Sequence, residues 1–167
     1  MSRDFPDWVH PDKAAASRRE FIGTVAVDRL PRLAGLVVAD ETTEISFRLA
    51  FGYDELDQIR VEVEVSGRVP MQCQRTLRTF DQEIESASVV GIVSSEDEAA
   101  ELPEDYDPQI FPDKRVPLLD LIEEEVLLSL PLVPVCPESS RIGAEPVADT
   151  HRPFEALAAL RKGRGKN

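Results

Sequence analysis

Between residues 43 and 93 the chain alternates apolar and polar side chains in four consecutive runs, and this period of two constrains the fold more than any other feature. In TEISFRLAF (43–51), Ile45, Phe47, Leu49 and Phe51 alternate with Glu44, Ser46, Arg48 and Ala50. IRVEVEVSG (59–67) repeats the pattern with Ile59, Val61, Val63 and Val65 inward. In RVPMQCQRTLRTF (68–80), Val69, Met71, Cys73 and Arg75 share one face, and DQEIESASVVGIV (81–93) completes the set. Successive strand residues point to opposite faces, so these runs read as half-buried strands with one polar face. The links GYDELDQ and SG suit antiparallel hairpins. The expected fold class is therefore α+β in a single domain, with an antiparallel sheet of about four to six strands and helices on one side or end.

The helices are punctuated by proline. Pro11 and three alanines predict a short helix over 11–20. VPLLDLIEEEVLLSLPLVPVC (116–136) predicts a longer one, with Pro117 in its first turn and Pro131 ending it. At about 100° per residue, Asp120, Glu123 and Glu124 form a wet face opposite Leu118, Leu121, Ile122 and Val126. Glu125 falls between the directions of Leu121 and Ile122. Three readings stand for it: a structural ion pair with Arg48 or Arg75, an edge position reaching water, or a functional carboxylate. A buried, unpaired carboxylate would cost several kcal/mol, which makes the ion pair the first expectation.

Charge narrows the function. The net charge is −13, and residues 79–167 hold 8 basic and 19 acidic side chains, a net of −11. Seven carboxylates crowd positions 96–107, inside a long acidic connection expected over 94–115. It reads as a solvated loop or as a docking segment for a basic partner. An acidic chain is repelled by nucleic acid at long range, so RNA contact needs a local basic patch. Two sources exist: Arg68, Arg75 and Arg78 in one passage, and the closing cluster Arg161, Lys162, Arg164 and Lys166. The latter lies in a flexible basic tail (163–167) and the helix end before it, and either caps and solubilises or reaches phosphates. Residues 1–10 read as a loose lead-in.

No phosphate-cradling glycine loop is present, and His10 and His151 are the only histidines. Cys73 and Cys136 are singletons 63 positions apart, without the close pairs of a zinc site, so neither a metal nor another cofactor is expected. The longest apolar run, 126–136, is about half a membrane span and holds two prolines. Together these features predict a non-enzymatic, cytoplasmic protein with no membrane partner and no small-molecule substrate.

Three passages, in order, carry a family likeness. VPMQCQRTLRTF matches through Cys73 and Arg75. The acidic helix and its Pro-x-x-Pro sequel match through Glu124, Val126, Leu127, Leu128, Leu130, Pro131 and Pro134. The closing RPFEALAALRKGRGK matches through Pro153, Phe154, Leu157 and Leu160. Together they resemble the YceD family of large ribosomal RNA subunit accumulation proteins, and the similarity spans about residues 11–162, which sets the expected boundaries of the domain. Many relatives read Cys-x-Arg-Cys where this chain has Thr76 in the last position, so a metal site in those relatives would have no full counterpart here.

The resemblance implies a bacterial (or plastid) factor supporting accumulation or processing of large-subunit ribosomal RNA. Its partners would be the large-subunit precursor, through ribosomal RNA or a basic ribosomal protein, or an rRNA-processing factor. The alternative from charge is an acidic protein-binding module that shields or positions a basic partner away from the ribosome.

Overall fold

The computed structural model describes residues 5–38 and 43–138. In chain order the elements are β1 (Trp8–Val9), α1 (Pro11–Ala16), β2 (Glu20–Ala26), β3 (Glu44–Tyr53), β4 (Ile59–Gln72) and β5 (Thr79–Val93). They continue with α2 (Glu96–Ala99), β6 (Asp107–Ile110), β7 (Val116–Pro117) and α3 (Leu118–Ser129). Two 3₁₀ turns, Val27–Arg29 and Pro31–Leu33, follow β2.

The period of two becomes a five-stranded sheet in the order β2-β3-β4-β5-β6, with β1 and β7 forming a separate two-stranded pair. Its inner face carries Phe47, Leu49, Val61, Val63, Val65, Val69 and Ile84, all buried. Leu118, Leu121, Ile122 and Val126 of α3, Leu30 between the two 3₁₀ turns and Leu33 in the second join the same core. Each such aliphatic side chain contributes about 1.5–3 kcal/mol on burial, so the alternation is the main source of stability.

Several expectations need correction. The sheet is mixed: β2 to β5 pair antiparallel, but β6 runs parallel to β5 from Val90↔Asp107 to Val93↔Ile110. The supposed hairpin at Ser66–Gly67 does not exist, because β4 runs unbroken from Ile59 to Gln72. Gly67 is there for space: a Cβ would lie 3.3 Å from the Glu44 carbonyl oxygen and 3.4 Å from Ile45 Cα. The chain reverses at 73–78 instead, with Leu77 in the left-handed region at φ 58°. The acidic 94–115 connection is not all loop, since it holds α2 and β6. Ser95 caps α2 by accepting the Glu98 N–H at 3.3 Å, and the Glu98 carboxylate accepts the Ser94 N–H at 2.7 Å.

The first helix is also shorter than expected. It stops at Ala16, where Arg18 turns left-handed (φ 47°) and Arg19 N–H donates back to the Ala14 carbonyl. α3 ends two residues before Pro131, as its sequence predicts, and Pro117 serves as its N-cap. Among the described residues no helix is long and apolar enough to cross a membrane.

Candidate functional site

The three glutamates of α3 project from consecutive positions and meet different groups. Glu123, expected on the wet face, is only 5% exposed, and its carboxylate accepts the backbone N–H of Arg32 at 2.6 Å. The 3₁₀ turn that packs on α3 covers this position, which helical periodicity alone does not reveal. Glu124 pairs with the Arg32 guanidinium, and this hydrogen bond raises that group further above its ordinary range.

Glu125 is buried at 4% exposure, but hydroxyls take the place of the expected arginine. Ser86 and Ser88 on the inner face of β5 both donate to its carboxylate. Arg48, one expected partner, lies on the outer sheet face and binds Glu20 and Glu64 instead. Those two carboxylates, Glu20 first, hold its guanidinium above the ordinary value.

Two of the residues expected from the resemblance, Cys73 and Pro134, come together where the 73–78 turn meets the segment after α3. Gln74 N–H donates to the Pro134 carbonyl at 2.9 Å, and Cys136 N–H donates to Cys73 Sγ at 3.2 Å. Thr76 Oγ1 lies 3.5 Å from Cys136 Sγ. The two cysteines, singletons in sequence, are therefore neighbours, both buried and not disulfide-bonded. Burial pushes the Cys73 thiol up, but donors at Cys136 N–H, the Thr76 hydroxyl, Thr76 N–H and Arg75 N–H outweigh it and bring it down to about 5. Among the described residues no group of three or more His, Cys, Asp or Glu gathers into a metal-holding cluster.

Around this buried junction the surface is apolar. Leu77 at the turn is 68% exposed, Leu132 is fully exposed, and Val133, Val135 and Leu128 are also open. Arg75 and Arg78 flank Leu77 and are exposed, and Pro134 is buried beneath. Arg68 stands apart on the outer face of β4, 4.0 Å from Glu83. Arg161, Lys162, Arg164, Lys166, Pro153 and Phe154 lie outside the described residues. Sequence reasoning missed Thr76, Ser86, Ser88 and Arg32, whose partners are 37 or more positions away.

This architecture is a mixed sheet closed by an acidic helix and tied at its far turn by a Cys-x-Arg passage to a Pro-x-x-Pro segment, and among the described residues no catalytic constellation is seen. The family model described as "Large ribosomal RNA subunit accumulation protein YceD" matches residues 61–161, more than half the chain, and the chain belongs to that family. It is 30% identical over 168 residues to the protein named "Large ribosomal RNA subunit accumulation protein YceD" from Haemophilus influenzae, covering 94% of this chain and 96% of that relative. No solved structure matches it. The family is named for the accumulation of an RNA, not for a reaction.

Proposed function

We propose that this protein supports accumulation of large-subunit ribosomal RNA as a non-enzymatic factor that engages the precursor particle through the surface around the 73–78 turn. One observation carries the reading. Leu77 holds a left-handed backbone, which costs a non-glycine residue about 1–2 kcal/mol, while its side chain stands 68% exposed. Glycine or asparagine would serve the turn better, so the leucine side chain is retained at the expense of stability. Strain of this kind collects at binding sites. Leu132, Val133 and Val135 extend the apolar surface from the segment that Gln74 and Cys73 hold in place.

A protein contact suits this surface better than an RNA contact. Arg75 and Arg78 are its exposed cations, Arg68 faces Glu83, and no aromatic ring lies in the turn to stack on a base. The test is sedimentation of a cell lysate with the protein traced across the gradient, comparing wild type with Leu77→Gly. The substitution should leave the melting temperature unchanged or higher and move the protein from the large-subunit precursor to the top of the gradient. Co-migration unchanged in Leu77→Gly removes the surface from the mechanism. Wild-type protein found only at the top of the gradient removes stable residence on the particle.

A further inference from the structure

We propose that the outer edge of β2 is a strand-addition site for an extended, basic polypeptide segment, a second surface distinct from the 73–78 turn. The register of β2 on β3 pairs residues whose numbers sum to 70, from Glu20↔Ala50 to Ala26↔Glu44. At its two ends Phe51 N–H donates to the Arg19 carbonyl and Val27 N–H to the Thr43 carbonyl, each at 2.9 Å. Hydrogen-bonded pairs alternate along an antiparallel ladder, so the odd-numbered residues between them turn their backbone groups to β3. The even-numbered residues Glu20, Ile22, Thr24 and Ala26 turn theirs to the open edge.

Among the described residues nothing bonds to those groups. The strand is seven residues long and contains no proline. The opposite edge, β6, has four residues and carries Pro108, a device that blunts strand pairing. Ile22, at the middle of the open edge, is 60% exposed. A chain that leaves its longer edge unblunted offers the donors and acceptors that a peptide strand recognises.

Charge selects the occupant. The side chains of the same even-numbered residues stand on the outer sheet face, beside a trough lined by Thr24, Ser46, Ser66 and Ala87, all small, together with Glu64 and Glu85. That face carries Glu20, Glu44, Glu62, Glu64, Glu83 and Glu85 against Arg48, Arg60 and Arg68. Glu44 and Glu85 have no cationic partner among the described residues. A second copy of a chain with net charge −13 is repelled from this edge, whereas long basic side chains on an added strand reach across β2 to the unpaired carboxylates.

The geometry fixes which amides of the occupant matter. Residues directly opposite Ile22 and Thr24 would place their side chains on the acidic outer face and their N–H groups toward β2. In a fluorescent probe peptide of alternating Lys and Val, the Lys amides must therefore face the protein and the Val amides must face solvent. Binding is measured by fluorescence anisotropy with the full chain. N-methylation of the Lys amides should weaken binding about tenfold or more, and N-methylation of the Val amides should leave it within about twofold. A Glu-Val probe should not bind.

Ile22→Pro, which removes one outward N–H and no ladder bond to β3, should weaken the Lys-Val probe similarly. The peptide arms stand even if this variant does not fold. Equal binding of both methylated probes, greater sensitivity at the Val amides, binding of the Glu-Val probe, or no binding of the Lys-Val probe each overturns the proposal. So does a dimer in sedimentation equilibrium that Ile22→Pro converts to monomer, because a second copy would then be the occupant.

Discussion

Removing the hydroxyls of Ser86 and Ser88 together should unfold this protein far more readily than two serine-to-alanine changes elsewhere on the sheet. Both donate to the Glu125 carboxylate, which sits 4% exposed under α3. A hydrogen bond to a charged group contributes about 1.5–3 kcal/mol, and an acid left buried without donors is destabilising by about 3–5 kcal/mol. For a chain of 167 residues, about 2–4 °C of melting temperature follows each kcal/mol, so Ser86→Ala with Ser88→Ala should lower the midpoint by about 6–20 °C. The decisive variant adds Glu125→Leu to that pair. Once donor and acceptor are both gone, the apolar replacement should restore stability to within about 1 kcal/mol of wild type. Urea and thermal melts followed by circular dichroism give the cycle, and a coupling of at least about 2 kcal/mol is expected. Additivity within about 0.5 kcal/mol would refute the reasoning, because the carboxylate would then be finding water rather than the two serines.

Two further outcomes test other parts of the fold. A Cβ on Gly91 would lie 2.5 Å from Leu102 Cδ1, the end of a half-buried side chain that can swing aside, so Gly91→Ala should cost no more than about 1 kcal/mol in a melt, and a loss above about 3 kcal/mol would show that Leu102 is fixed. The Cys73 thiol, brought down to about 5, should show its thiolate ultraviolet absorbance rising near that pH in native protein, with the step absent from Cys73→Ser. Because the folded-state value lies below the unfolded one, the associated stabilisation is present above the unfolded thiol range and lost as pH falls through about 5. The melting difference between wild type and Cys73→Ser should therefore be larger at pH 8 than at pH 4.5, and an equal difference at both would count against the thiolate.

The strand faces were legible because alternation is a local signal. Val61, Val63, Val65 and Val69 are buried at the positions their period assigns, even though the Ser66–Gly67 pair between them resembles a turn. That pair misled because glycine marks both reversals and close approaches, and only the position of Ile45 and the Glu44 carbonyl beside Gly67 decides which. β6 was unreadable for a similar reason: DPQI has no strand pattern, and pairing with Val90–Val93 creates it. The site was legible as motifs and not as a place. Cys73, Arg75 and Pro134 stood out individually, but contacts between the turn and a segment about 60 positions away bring them together.

The charge of α3 shows why an acidic residue count is a poor guide to partners. Consecutive helical positions are about 100° apart, so Glu123, Glu124 and Glu125 fan across roughly half the helix. They reach the Arg32 N–H, the Arg32 guanidinium and the two β5 serines. The first and third are committed to joining α3 to its neighbours, and the second to an exposed pair that solvent screens. Acids open to a partner lie on the outer sheet face and along the exposed 96–107 segment. Glu123→Gln should therefore lower stability by about 1–2 kcal/mol without changing affinity for a basic peptide. Glu44→Gln with Glu85→Gln should weaken that affinity while stability stays within about 0.5 kcal/mol. Melting curves and peptide titrations on the same preparations separate the two, and a loss of peptide affinity in Glu123→Gln at unchanged stability would return the helix to the binding surface.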